Sequence, residues 1–254
     1  LQIGDGDHLA VHTGIITLSD FRQKHIAAGG EGAPLALFGD TILFSSETEH
    51  RILLNMGGIA NFTYLPAGQT TNIISTDVGP ANTLIDSYVK VNYNGLSYDA
   101  NGEIASTGNI NEAFVNAVLA HPFFSAGFPK TIGPELFNLA FIEAACKSAG
   151  IATMTHPDMI ASLSYITARV IADGIKQVVG DTNKDLVIYA SGGGIHNAYI
   201  MQQLQNLCPN ATFKNLETLG VNPDAKEAVL FAILANEAVA GSPTLSMGKI
   251  SFPR

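Results

Sequence analysis

Hydrophobic positions change their spacing near Asp77. Before it, short runs of β-branched and aromatic residues are bounded by Gly, Asn and Pro, the mark of strands and turns. These runs are Gly14–Phe21 (GIITLSDF), Thr41–Phe44 (TILF), Arg51–Met56 (RILLNM), Asn61–Pro66 (NFTYLP) and Asn72–Asp77 (NIISTD). Each is expected to be a strand, and the short links between the later ones predict antiparallel neighbours. Between them Ala27–Leu35 (AAGGEGAPL) holds three glycines and a proline and fits neither regular element. From Ala81 onward the period is helical. Leu84, Ile85, Tyr88 and Val89 share one face, and Phe114, Ala117, Val118 and the region Leu136–Ala149 continue the pattern. A long helix is expected over Asp158–Val179, where Ile160, Leu163, Ile166, Ile171, Ile175 and Val178 recur at helical steps. Asp185–Ala190 (DLVIYA) then reads as a buried strand, followed by SGGG, a helix through Asn197–Leu207, and a last helix from about Asp224 through KEAVLFAILANEAVA. The order of elements predicts an α/β or α+β chain with no linker and no strong repeat.

Two stretches share a spelling: LNMGGIAN, Leu54–Asn61, and SGGGIHN, Ser191–Asn197. Glycine accepts positive φ and lets other atoms come close to the main chain, so a strand running into GG or GGG offers bare amides to a ligand. One such turn alone can equally serve to save space; two in one chain favour a nucleotide. Asn61 and Asn197 would then orient that ligand or cap a turn. Asp77 is read as ending a strand just before VGPAN, which would project its carboxylate from a rigid strand end, although a turn-forming aspartate explains the position as well. Asp86, inside the next helix, reads as an exposed partner for a cation. Glu227 lies in the first turns of an apolar helix, where stabilising the positive helix end is sufficient explanation. Asp20 and Arg22 in SDFR either pair with each other or hold a polar substrate.

Composition narrows the class. The 254 residues are 46% hydrophobic and 14% charged, which describes a compact globular protein rather than a disordered one. The net charge of −9 comes without a basic cluster, disfavouring nucleic acid or an anionic membrane surface as the main partner. Cys146 and Cys208 lack CxxC spacing and read as reduced packing residues. The 7 histidines show no paired ligand spacing, so the metal-ligating set is taken as empty. No apolar run approaches membrane-spanning length, and a cytoplasmic protein is expected. The chain opens on Leu1 in an apolar stretch, and an upstream portion is expected.

Taken in order, SDFRQKHIAAGGEGAPL, LNMGGIANFTYL, TDVGPANTLID, FPKTIGPELFNLAFI, SGGGIHNAYIMQQL and KEAVLFAILA resemble the anhydro-N-acetylmuramic acid kinases, sugar kinases of the hexokinase, actin and Hsp70 superfamily. The resemblance runs from Leu1 to about Gly241. It implies an α/β actin/hexokinase-like (ribonuclease H-like) fold lacking its N-terminal third, the part that in the family carries a first phosphate loop of the form GTSxDG. It divides the chain into a substrate-side remainder over 1–35 and an ATPase-type domain with a helical part over 36–254. It implies ATP and Mg²⁺, hydrolytic opening of the 1,6-anhydro ring of anhydro-N-acetylmuramic acid, and phosphorylation of O6. By the same resemblance Asp77 would activate the attacking water and Glu227 would orient it. Gly57 and Gly58 would face the ATP phosphates, with Asn55 in the same nucleotide-binding set, while Gly192, Gly193, Gly194 and Asn197 would border the adenosine. Asp20, Arg22 and Lys24 would contact the sugar. The sequence departs from the family pattern at Gln23, Lys24 and His25, at Ala36 and Leu37, at Pro134, and at Leu216, Glu217 and Thr218. These fall in substrate-side segments. The family commonly forms dimers, and the apolar C-terminal helix permits a homodimer. The full-length protein is expected to be the enzyme and this piece weak or inactive alone. The competing expectation is a non-catalytic nucleotide- or muropeptide-binding regulatory module of the same fold.

Overall fold

The structure, a computed structural model, describes residues 4–27, 29, 35–69, 71–133, 135–180, 185–222, 225–241 and 248–254. Leu1, positions 30–34 of the glycine-rich stretch, Pro134 and Asp224 lie outside them. In chain order the helices are α1 (Gly6–Thr13), α2 (Phe21–Ala27), α3 (Leu35–Phe44), α4 (Asn82–Asn92), α5 (Glu112–Leu119), α6 (Pro122–Ser125), α7 (Leu139–Ser148), α8 (His156–Val179), α9 (Ala198–Leu207) and α10 (Lys226–Ala240). The strands are β1 (Thr17–Ser19), β2 (His50–Met56), β3 (Ile59–Leu65), β4 (Ile74–Pro80), β5 (Leu186–Ser191), β6 (Thr212–Asn215) and β7 (Lys249–Ser251). The chain forms two compact units, Leu1–Phe44 with Val221–Arg254, and Ser45–Gly220. Among the described residues no helix is long and apolar enough to cross a membrane.

In the first unit β1 pairs antiparallel with β7, and Phe21, Leu35, Leu230 and Leu234 form a small core between α2, α3 and α10. Gly39 on α3 lies directly against Leu230, so the two helices meet where one side chain is missing. Beside that contact Lys226 Nζ meets the buried Asp40 carboxylate at 2.8 Å.

The second unit is built on a five-stranded sheet in the order β4-β3-β2-β5-β6. The strands β4, β3 and β2 are antiparallel neighbours, whereas β2, β5 and β6 run parallel. This is the ribonuclease H-like arrangement on which the actin/hexokinase fold is built, as the sequence resemblance implied. Strand alternation sends Ile52, Leu54, Met56, Phe62, Val78, Ile188 and Ala190 to one face, into a core shared with α8. Helix α8 is long because its apolar residues recur on several sides, and Thr155 starts it by accepting the Asp158 N–H at 3.2 Å. It can lie close to the sheet because glycines face each other's neighbours. A Cβ on Gly174 would sit 2.8 Å from Val78 Cγ1 and 3.2 Å from Phe62 Cε1. One on Gly79 would sit 2.7 Å from Val170 Cγ2.

Several sequence expectations are corrected. Thr41–Phe44 is the end of α3, not a strand: its β-branched pair is too short to outweigh the helix that Leu35 and Phe38, one turn apart, anchor in the small core. Of Gly14–Phe21, Thr17–Ser19 alone is strand, and Phe21 already opens α2. Strand β6 has no signal in the sequence because TFKN is short and polar and gains its pairing from β5. Strand β4 does not stop at Asp77 but continues to Pro80. A register shift between Ala60 and Asn61 carries it past Val78, and its position at the sheet edge tolerates the N–H that Pro80 lacks.

The close approach of α8 gives a direct expectation. Gly174→Val should lower stability by about 1–3 kcal/mol, because overpacking against Val78 and Phe62 outweighs the gain in helix propensity. The midpoint of urea unfolding, at unchanged m-value, is the measurement that checks it.

Candidate active site

The two glycine corners are neighbours in space for a reason visible in the sheet. β2 and β5 are adjacent and parallel, with Asn55 opposite Ser191, so both strands release their glycines at the same edge. Such carboxyl ends of strands, where the connections diverge, are where open α/β sheets bind ligands. Gly192 has φ 83 and ψ 168, a conformation open to glycine, and a Cβ there would lie 2.7 Å from both Asn55 Oδ1 and the Met56 carbonyl. Gly58 has a similar constraint, since its Cβ would meet Thr83 Oγ1 at 2.6 Å.

The start of α4 holds the first corner. Asn82 Nδ2 donates to the carbonyls of Gly57 (2.8 Å) and Met56 (3.4 Å). The N–H groups of Ala81 and Thr83 donate to Gly58 O at 2.9 and 3.1 Å, and that of Asn82 to Gly57 O at 3.1 Å. The carbonyls of the first corner are thus held by α4, and among the described residues no hydrogen bond from the Gly57 or Gly58 amide is found. Those amides are the groups a phosphate could use.

The second corner continues into a single 3₁₀ turn, Gly193–His196, and then α9. Asn197, expected beside a nucleotide, is also a structural residue, because its Oδ1 accepts the Ile200 N–H at 3.0 Å and caps α9. It also lines a cleft of about 490 Å³, open to solvent, with Gly193, His196, Asn82, Asp86 and Tyr98. Asp86 is not the plain surface charge that the sequence suggests; burial in this cleft raises its carboxyl above the ordinary range, and Lys90 opposes the shift. Asn82 and Asp86 are one helical turn apart on α4, which puts both on the side of the helix that faces the cleft. Asp99 at the cleft wall is committed to structure, accepting the N–H groups of Ile104 and Ala105 at 2.8 and 3.0 Å.

Asp77 joins this edge through strand register. Ser191 pairs with Asn55, Asn55 with Asn61, and Asn61 with Asp77, so four polar residues form one row across four strands. The row lies on the face turned away from α8, since the flanking Leu54, Met56, Phe62 and Val78 belong to the core on the other side. Two strand spacings put Asp77 about 10 Å from Asn55. Its carboxylate is half-buried and accepts the Ile132 N–H at 2.7 Å. Burial pushes its pKa up, and the Ile132 hydrogen bond opposes that shift without cancelling it.

The structure therefore brings together Asn55, Gly57, Gly58, Gly192, Gly193, Gly194, Asn197 and, by register, Asp77. Asp20, Arg22, Lys24 and Glu227 belong to the other unit. Asp20 precedes α2 with φ 55, Arg22 and Lys24 stand exposed on that helix, and Glu227 is exposed in the first turn of α10. Cys146 and Cys208 are unbridged, and burial pushes the Cys208 thiol up to about 11. Among the described residues no group of three or more His, Cys, Asp or Glu side chains could hold a metal ion.

The profile of the anhydro-N-acetylmuramic acid kinase family matches residues 1–248. This chain belongs to that family. Curated anhydro-N-acetylmuramic acid kinases from Pseudoalteromonas atlantica and Pseudoalteromonas translucida are 49% and 52% identical, over 100% and 99% of the chain. One from Caldanaerobacter subterraneus is 37% identical over 95% of it. The chain spans 66% of the length of the two Pseudoalteromonas kinases. Among solved structures, a xylulose kinase from Lactobacillus acidophilus overlaps 87% of the chain and 45% of its own at a TM-score of 0.45 and 13% identity. The activator of 2-hydroxyisocaproyl-CoA dehydratase from Clostridium difficile overlaps 78% of the chain and 68% of its own at a TM-score of 0.44 and 15% identity.

Two outcomes test the geometry of this family site. Gly192→Ala should cost about 2 kcal/mol, from backbone strain and the approach to Asn55 and Met56, read as a lower unfolding midpoint. Asp77→Asn should do the opposite at neutral pH. The folded chain keeps the Asp77 proton to higher pH than the unfolded chain, so stability falls as pH rises from the ordinary value of 3.8 to the raised folded one. Above that window the destabilisation is complete, so the Asn variant should melt higher at pH 7, and the gap should close below about pH 4.

Proposed function

We propose that the full-length protein is an ATP-dependent anhydro-N-acetylmuramic acid kinase. Water adds to the anomeric carbon, the bond from that carbon to O6 breaks, and O6 takes the γ-phosphoryl group of ATP. The products are N-acetylmuramic acid 6-phosphate and ADP. The observation that carries the reading is the polar row: it connects a half-buried carboxylate to the edge where two glycine corners expose backbone.

In this reading Asp77 is the general base. A carboxyl held above its ordinary range is better matched to removing a proton near neutral pH than an exposed one. The free amides of Gly57 and Gly58 receive the ATP phosphates, with Asn55 beside them, and Gly192–Gly194 with Asn197 border the adenosine at the cleft. Phosphoryl transfer asks the protein mainly for positioning and charge stabilisation, which such a backbone site supplies. Mg²⁺ would come with ATP and would supply charge neutralisation at the phosphates. An ion of that kind keeps several waters and needs one or two carboxylates, so the sparse acidic set is compatible with it. Glu227 orients the water and the sugar, and Asp20, Arg22 and Lys24 contact the sugar, the two cations suiting its lactyl carboxylate. The segment 1–35 is the substrate side and 36–254 the ATPase-type part of a cytoplasmic protein that acts as a homodimer.

The test is turnover of anhydro-N-acetylmuramic acid by the full-length protein with ATP and Mg²⁺. Asp77→Asn should lower kcat by about 10²–10⁴-fold, the usual share of a general base, with KM for ATP nearly unchanged. Undiminished turnover would remove Asp77 from the mechanism. Tight binding of ATP or sugar without product in the unmodified protein would favour a regulatory module instead.

A further inference from the structure

Asp77 lies on the outermost strand of the sheet, yet the free edge of that strand is occupied. The segment 130–132 runs along it. Asp77 donates its N–H to Lys130 O at 3.0 Å, and Lys130 donates its own to Thr76 Oγ1 at 3.0 Å. The Thr76 hydroxyl is in turn placed to donate to Asp77 O at 3.0 Å or Lys130 O at 3.2 Å. Two residues on, Ile132 donates its N–H to Asp77 Oδ2 at 2.7 Å. Among the described residues no hydrogen bond reaches Oδ1.

The far side of this segment is anchored by one cation. Lys130 Nζ donates to the carbonyls of Phe123 (2.8 Å), Phe124 (3.4 Å) and Ala126 (3.4 Å) at the end of α6. An ammonium has three N–H groups, and three backbone oxygens take them. It also lies 4.4 Å from the centroid of Phe123 and 5.0 Å from that of Phe128. A lysine engaged in this way has no donor left for a substrate phosphate or carboxylate. It fastens the 123–126 turn to the strand that bears Asp77.

We infer that Lys130 is a positioning residue for Asp77: it pins the 130–132 segment, so that the Ile132 amide holds Oδ2 and leaves Oδ1 as the oxygen that takes the proton. This rests on the reading of Asp77 as the base. The charges around the device are few. Burial and the Ile132 N–H are the influences acting on Asp77, and among the described residues the other charged group lining the cavity beside Lys130 is Asp173, paired with Arg169 at 2.8 Å. Freeing the segment removes a hydrogen bond to the ionised form of the base, which raises its pKa.

The experiment compares Lys130→Met, Lys130→Arg, Thr76→Val and Asp77→Asn in the full-length protein, by pH–rate profile and by hydrogen exchange at the Ile132 amide. Lys130→Met is expected to lower kcat about tenfold and leave KM for ATP within about twofold. It should also move the acid limb of kcat/KM up by about half to one pH unit, the size of one lost hydrogen bond to a carboxylate. Exchange at Ile132 should quicken, and Lys130→Arg, which also donates to carbonyls, should recover most of both effects. Thr76→Val removes the other attachment of the segment and should shift the limb in the same direction, which keeps the test standing if Lys130→Met does not fold. A folded Lys130→Met with an unmoved acid limb and unmoved Ile132 exchange would overturn the inference, as would an effect confined to KM for the sugar. Full turnover in Asp77→Asn would instead overturn the base reading beneath it, and the exchange data tell the two failures apart.

Discussion

The parallel pairing of β2 with β5 is the constraint on which the site depends. Opposing Asn55 to Ser191 brings two glycine corners, far apart in the chain, to one sheet edge. Once they are there, side chains become a liability: Gly192 is pressed against the end of β2, and Gly58 against Thr83. The backbone is bare because it is crowded by protein, and the same bareness leaves amides within reach of a ligand. The packing role and the proposed binding role fall on one set of glycines, which is why glycine spacing alone could not separate the two readings.

The antiparallel strands extend that edge sideways. Alternation puts Asn55, Asn61 and Asp77 on the face opposite the core, while the residues between them anchor α8. A carboxylate half-buried on a sheet edge is unfavourable to stability, and one backbone amide offsets the cost only in part. Retaining it is the kind of local conflict found where a protein keeps function at the expense of stability. The β4 edge is closed by a loop rather than another strand, so the device that covers the edge can also orient the carboxylate.

Much of the second unit is legible in its residues. Arg51–Met56, Asn61–Pro66 and Asp185–Ala190 carry dense β-branched and aromatic residues, and each is a strand; the apolar recurrence from Ile160 to Val178 is α8. Errors fall where pattern and context disagree. TILF has strand-like residues but belongs to a helix whose other turns lie upstream, and TFKN has no strand pattern but finds a partner in β5. The end of β4 is hidden because V-G-P reads as a turn, whereas a register shift and a place at the end of the strand order, where Pro80 faces no further strand, allow the strand to continue. In the site, the glycines and Asp77 stand out by local chemistry. Asn82 and Asp86 do not, because an Asn at the start of a helix and an Asp one turn later are ordinary surface residues until a cleft forms above them.

The sequence by itself determined the family, the strand and helix content of the 45–220 unit, and the residue types available for chemistry, since these depend on local periodicity and on an ordered set of motifs. Only the tertiary structure decided which of those residues share an edge, that Asp77 sits inside a strand in line with Asn55 and Asn61, and that Lys130 is engaged by backbone carbonyls. Register, burial and hydrogen-bond partners arise between segments far apart in the chain, and no local pattern carries them.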